Sequence, residues 1–280
     1  MNHHMNESIL LEILANISRL FKESENEPAR VTAFKNTLER DIVTTLDLRI
    51  HNAVKDILKQ NNLSIYLHSE EGEDFEANNI NSNEETILLD PLDGSLNYAI
   101  GLDFYCSQLA HIKDGIIEHS GICIPSQNQM LSLSLSDCSF ISSRKILEKN
   151  NDILGATYLA YGSQESEEDR KLKKSVLNVI DMYGNGVFRL GSAGYGVYLT
   201  IIGKLKGFIG INIKVYDVIP LFSIARYMKF KIAYSITNNC IDVLITRDET
   251  LLSYSKEIFN KSYRNLTFFE LDKPLEIRSE

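Results

Sequence analysis

Between Phe104 and Ser142 the chain carries four apolar runs: Phe104 to Ile112, Ile116 to Ile124, Met130 to Leu135 and Ser139 to Ser142. Only turn residues such as Asp114-Gly115 and Pro125-Ser126 separate them. That spacing predicts an antiparallel meander, and other elements must then cover its faces. After Gly155 the periodicity alternates. It predicts strands at 157–160, 187–190 and 207–211, helices at 166–182, 193–202 and 218–228, strands near 231–236 and 241–246, and a closing helix at 248–261. Ahead of the meander stand two amphipathic helices. One has Ile9, Leu10, Ile13, Leu14, Ile17, Leu20 and Phe21 on one stripe. The other runs from Ile42 to Gln60, with Val43, Leu46, Ile50, Val54, Ile57 and Leu58 on one face. A short strand at Ser64 to Leu67, a polar loop from Asn78 to Glu85 and a buried strand from Thr86 to Leu89 follow. The expected fold is α+β, a layered α/β sandwich in which helices alternate with mixed or antiparallel sheets. A soft boundary near Lys149 to Gly155 divides it into halves at 1–150 and 151–280.

The 280 residues leave ample chain for a large core, and the formal net charge is −9. That balance disfavours non-specific binding to nucleic acid or to an anionic membrane. An anionic small molecule would need local cations or a metal to offset the repulsion. No apolar run approaches a membrane span, and no cationic region precedes the first helix, so a cytoplasmic protein is expected. Cys106, Cys123, Cys138 and Cys240 are scattered with no CxxC pair, which predicts reduced thiols.

The segment Asp90-Pro91-Leu92-Asp93-Gly94-Ser95-Leu96-Asn97 is the most informative for chemistry. Two acids stand at the end of an apolar strand, Pro91 stiffens the backbone between them, and Gly94 permits a sharp turn. Ser95 then opens a short helix whose first N–H groups face the same space, a natural anion site. Carboxylates beside an anion imply a divalent cation between them, and hard oxygen ligands suit Mg²⁺. Taken singly, each acidic segment has a plainer reading. DPLDGS can be a capping turn, Ser69-Glu70-Glu71-Gly72 a solvated turn, and Asp217 in Val215-Tyr216-Asp217-Val218 a helix N-cap. The six His show no ligand spacing, and His68 is read as structural. Gly191 to Gly196 mimics a nucleotide loop without its acidic partner.

Taken together and in order, Asp41 to Asp47, Glu70-Glu71, Asp90 to Tyr98, Arg189-Leu190-Gly191-Ser192-Ala193, Gly203 to Phe208 and Tyr216-Asp217 resemble the signature of the inositol monophosphatase family. The resemblance runs to about Ile224 and leaves out the last fifty residues. It implies a phosphomonoesterase that uses two or three Mg²⁺ ions to activate water. The metal ligands would be Glu70, Asp90, the carbonyl of Leu92, Asp93 and Asp217. Glu70, Asp47 and Ser95 would position and polarise the water. Asp93, Gly94, Ser95, Ala193 and the position at Gly210 would line the substrate site. On this resemblance residues 1–150 carry most metal ligands, and residues 151–280 carry Asp217 and the substrate-selecting positions. A homodimer is the family habit.

The departures bear on substrate. Tyr216 stands where the family has Trp, and Asp103 where it has Pro. Gly210 replaces a Glu that contacts a substrate hydroxyl in the inositol enzymes. The resemblance points first to inositol-1-monophosphatase. A 3′(2′),5′-bisphosphate nucleotidase or a fructose-1,6-bisphosphatase on the same scaffold is the alternative. A third reading is a catalytically weak, metal-dependent regulatory binding protein.

Overall fold

The computed structural model describes residues 4–25, 27, 29–34, 42–72, 85–143, 156–162, 166–183, 185–262 and 264–278. Asp41, most of the polar loop before Thr86 and all of the boundary at 149–155 lie outside them.

The chain begins with α1 (Glu7–Ser24), capped by the Asn6 side chain on the N–H of Ile9. Two short strands, β1 (Val31–Phe34) and β2 (Ile42–Thr44), pair antiparallel ahead of α2 (Thr45–Gln60). The second helix therefore starts three residues later than its apolar stripe predicts. Thr44 and Asp47 form a capping box that fixes the start at Thr45 and leaves 42–44 extended. Next come β3 (Tyr66–Ser69), β4 (Thr86–Asp93), α3 (Ser95–Ala99), β5 (Cys106–Lys113), β6 (Ile116–Ile124), β7 (Gln129–Ser134) and β8 (Ser139–Ser142). They form a six-stranded sheet in the order β3-β4-β5-β6-β7-β8. Only the β3–β4 pair is parallel, so the meander is as expected.

The second part runs β9 (Thr157–Tyr161), α4 (Glu167–Tyr183), β10 (Val187–Phe188), α5 (Ala193–Ile201), β11 (Gly207–Lys214), α6 (Phe222–Tyr227), β12 (Lys231–Thr237), β13 (Cys240–Thr246), α7 (Glu249–Lys261), β14 (Thr267–Phe268) and β15 (Ile277–Arg278). Its seven-stranded mixed sheet has the order β10-β9-β11-β13-β12-β14, with β15 also against β12. Two expectations are corrected here. The last helix does not close the chain, because β14 and β15 return to the sheet beside β12. The helix predicted at 218–228 is split. Val215–Asp217 and Ile219–Leu221 form tight 3₁₀ turns, and regular helix begins only at Phe222. Pro220, which has no N–H to donate, sits in that interruption.

Layering follows from the strand periodicity. Ile87 and Leu89 face α1 and α2, whereas Leu88 faces the middle of the molecule. The middle layer holds α5 and α6 between the two sheets, and its apolar cluster draws on both halves of the chain, from Leu88 to Leu275. Helices α4 and α7 cover the outer face of the seven-stranded sheet with Leu172, Val176, Leu251 and Phe259. The result is helices, sheet, helices, sheet, helices.

Candidate functional site

The expected strand end at Asp90-Pro91 is displaced, because β4 continues to Asp93 through a bulge. Asp90 pairs with Gln108 and Asp93 with Cys106, so three steps on β4 oppose two on β5. Without the extra residue Asp90 and Asp93 would point to opposite faces; with it they share one. Gly94 then turns the chain at φ +91°. A Cβ there would lie 2.9 Å from the carbonyl oxygen of Phe104 and strain the backbone as well. Glycine is required at this corner. Asn97, in α3, donates to the carbonyls of Phe104 and Leu190 at 2.7 and 2.6 Å. This ties the turn to the segment that leads into α5.

A cleft of about 570 Å³ opens at this corner. Glu70, Asp90, Leu92, Asp93, Gly94, Ser95, Ala193 and Asp217 all line it. They come from β4, α3, α5, the end of β3 and the turn after β11, so sites far apart in sequence meet in one place. Asp47 stands one step behind. Ser95 Oγ lies 3.0 Å from Asp47 Oδ1 and 2.8 Å from the carbonyl of Leu92, and its single proton can serve one of them at a time. Asp47 is fully buried and accepts from the Thr44 N–H and hydroxyl at 2.8 and 2.5 Å. The capping residue of α2 is thus also the support of Ser95.

Asp93 does two things. One oxygen accepts from the Ser192 hydroxyl at 2.8 Å and from the Gly194 N–H at 2.5 Å, so the carboxylate caps α5 from across the cleft. Burial pushes its carboxyl up to about 6, and the charge of Glu70 adds to the push against those hydrogen bonds. The Tyr216 hydroxyl is driven well above its usual range, first by burial and then by Glu70, Asp217 and Asp90. Acid outweighs base here, since Arg189 and Lys214 are the cationic residues of the lining. Four carboxylates lining one cleft offer hard, anionic oxygens of the kind that suits a divalent cation such as Mg²⁺. Among the described residues, no three of these acids bring ligand atoms within 4.8 Å of one another.

Asp217 is not the helix cap expected of it. It closes a 3₁₀ turn, and its carbonyl accepts from Gln108 at 2.6 Å. His68 is buried against Tyr66, with burial driving its ring down to about 4, and it does not line the cleft. All four cysteines are free.

Gly210 sits apart from the other expected site residues. It is not among the residues lining the cleft. A Cβ there would lie 2.6 Å from Ile213 Cδ1 and 2.8 Å from Val243 Cγ1. The reason is a second bulge: Gly210 pairs with Val243 and Ile213 with Ile241, and Asn212 takes φ +51° between them. The bulge folds Ile213 over Gly210 and presents Asn212, Ile213 and Lys214 to the cleft instead. The extra residue shifts the count between Gly210 and Asp217, so spacing along the chain does not fix which residue faces the cleft. The composition of Asn212-Ile213-Lys214 gives no warning of it.

The chain and its fold have counterparts. The chain is 28% identical over 132 residues to a protein of Xylella fastidiosa named Nus factor SuhB, covering 47% of this chain and 48% of that one. It is 26% identical over 178 residues to Inositol monophosphatase 2 of Saccharomyces cerevisiae, covering 60% and 61%. The chain thus spans about half to three-fifths of the length of these curated relatives. A solved structure described as an IMPase/NADP phosphatase complexed with Mg²⁺ and phosphate superposes with a TM-score of 0.71 over 91% of this chain and 94% of that one; at 17% identity, it establishes the shared fold. Among the described residues no helix is long and apolar enough to cross a membrane. A family model described as the inositol monophosphatase family matches residues 7–226, from the first helix through the turn that carries Asp217 and into α6, and the chain belongs to that family.

Proposed function

We propose that this chain is a Mg²⁺-dependent phosphomonoesterase of small phosphorylated metabolites, with inositol 1-phosphate the first substrate to test, working in the cytoplasm as a homodimer. The observation that carries the reading is the meeting of Glu70, Asp90, Asp93 and Asp217, from separate segments, in a cleft where Ser95 rests on buried Asp47. Glu70, Asp90, the Leu92 carbonyl, Asp93 and Asp217 would hold the metal. Their wide spacing suits two or more ions better than one, since paired ions in such sites lie about 3.5–4 Å apart. When bound, Mg²⁺ supplies charge neutralisation of the phosphate and a lowered pKa for water.

The remaining work falls to the chain. With its proton directed to Asp47, the Ser95 hydroxyl offers a lone pair to a water and fixes that water's orientation. Asp47, locked by Thr44, keeps the hydroxyl in that rotamer. The first turn of α3 has no side-chain cap, so its N–H groups at Gly94 and Ser95 can meet phosphate oxygens. Arg189 is stacked on Tyr161, and it stands with Lys214 where the rest of a substrate would lie. Two cations at that position support the alternative of a second phosphate, as in a nucleoside or sugar bisphosphate.

The names of the SuhB relatives support one further reading, a metal-dependent regulatory binding protein with weak catalysis. Phosphate release in Mg²⁺ from inositol 1-phosphate, fructose 1,6-bisphosphate and adenosine 3′,5′-bisphosphate separates the readings. Turnover that vanishes in Asp93→Asn supports the phosphatase. No release from any phosphomonoester leaves the binding protein.

A further inference from the structure

The β5–β6 hairpin holds a second group of ligand-type side chains, on strand positions beyond the acidic corner. His111 pairs directly with His119, and Ile112 with Ile117, so Glu118 is the extra residue of a bulge. In a regular strand Glu118 and His119 would face opposite sides of the sheet. The bulge turns Glu118 back toward the two rings. The rings stand 5.3 Å apart between centroids, and His111 Nδ1 lies 3.8 Å from Glu118 Oε2. One ligand atom from each of the three residues lies within 4.8 Å of the other two.

The imidazoles are held as ligands are held. His111 is 1% exposed and His119 fully buried, yet neither Nδ1 has a hydrogen-bond partner. A buried polar atom without a partner is costly and calls for an explanation. The opposite nitrogens are engaged. His111 Nε2 meets Glu85 Oε2 at 3.2 Å, and Glu85 is itself anchored by Lys113 at 2.7 Å. His119 Nε2 lies 3.5 Å from Ser136 Oγ. A carboxylate or carbonyl behind one nitrogen fixes the tautomer and leaves the other lone pair for a metal. Burial, foremost, holds both rings below the usual imidazole range, His111 down to about 4, so they are neutral near pH 7.

We propose that His111 Nδ1, His119 Nδ1 and the Glu118 carboxylate form a second metal site, for a zinc-type divalent ion, separate from the acidic cleft. Two nitrogens and one oxygen select a borderline ion of this kind over Mg²⁺ or Ca²⁺. Tetrahedral zinc holds its ligands about 3.4 Å apart. Ligand atoms within 4.8 Å of one another therefore need to close by no more than about 1.4 Å. Glu118 is partly exposed, which gives the ion a way in and leaves water for the fourth position.

The test uses the full chain, stripped with a chelator, then held in excess Mg²⁺ while Zn²⁺ is added, with bound zinc measured after gel filtration. We expect one zinc equivalent retained by the wild type and by Asp93→Asn. Glu85→Gln, which removes the charge behind His111, should weaken zinc binding about 10–100-fold. Glu118→Gln, at a position whose side chain is not in the core, and His119→Gln should weaken it at least as much. No retained zinc in the wild type overturns the proposal. So does retention undiminished in Glu118→Gln and His119→Gln, or retention lost in Asp93→Asn alone.

Discussion

One wall of the cleft, carrying Glu70, Asp90 and Asp93, is shaped mainly by neighbouring elements of the first sheet and α2. They supply a bulge over Pro91 and Leu92, a glycine corner and the Thr44–Asp47 capping box. The opposite wall, at Asn212, Ile213 and Lys214, is held from far away. The Asn212 N–H donates to Asp242 at 2.8 Å and its side-chain amide to Asp169 at 3.3 Å. Arg264 binds both oxygens of Asp242 at 2.9 Å and also bonds Asp169. Residues from β11, β13, α4 and the last segment thus meet to hold one bulge. Burial keeps the Asp242 carboxyl above its usual range against the pull of Arg264. At Asp169 burial is outweighed by Ser166 and Arg264, and the carboxyl falls below it. The acid wall is specified in part locally, by Gly94 and the Thr44–Asp47 capping box, while its bulge depends on pairing with β5. The other wall, which on the proposed reading would meet the variable part of a substrate, rests on contacts a distant substitution can alter.

Breaking the long-range wall should have the largest effect. Arg264→Met leaves two buried carboxylates without their cation, and denaturant unfolding should show a loss of about 3–5 kcal/mol. An unpaired buried carboxyl has a folded pKa above its unfolded value near 3.9, so the penalty applies at neutral pH and is relieved by protonation. The gap between variant and wild type should therefore narrow as pH falls. A gap that is small, or constant with pH, would show the network to be incidental.

The acid wall should respond in rate rather than in stability. Asp93→Asn should lower kcat on the order of 10²-fold or more, with a melting temperature close to wild type. Near-normal turnover at low Mg²⁺ would remove Asp93 from the proposed chemistry. Gly210→Ala sharpens the contrast from the other side. The added methyl meets Ile213 and Val243 and should cost about 1–3 kcal/mol of stability, with the ratio of kcat/KM between inositol and bisphosphate substrates unchanged. A shift in that ratio would return Gly210 to the substrate site. The smallest effect belongs to Lys214→Met. The side chain is exposed, and an exposed ion pair contributes about 0.2–1 kcal/mol, so KM for a bisphosphate should rise up to about fivefold at constant kcat. No change in KM would place the second phosphate elsewhere.

The sequence by itself determined the elements and the acid set. The apolar stripes of α1 and α2, the turns of the meander and the alternation after Gly155 are local patterns, and local physics reads them. The DPLDGS segment and the Glu70 and Asp217 segments could be assembled because each carries its own signal. The start of α2, the broken helix after Asp217 and the two strands beyond α7 differ from expectation where a cap, a proline or a sheet edge decided the outcome. Only the tertiary structure decided the three bulges. One aligns Asp90 with Asp93, one presents Asn212 to Lys214 to the cleft, and one turns Glu118 toward two histidines that show no ligand spacing in the chain. A bulge is a mismatch of count between two strands, and neither strand carries that count alone. It is fixed when the partner strand and the layers behind it settle on one register, which is why side-chain direction at these points could not be read from the order of residues.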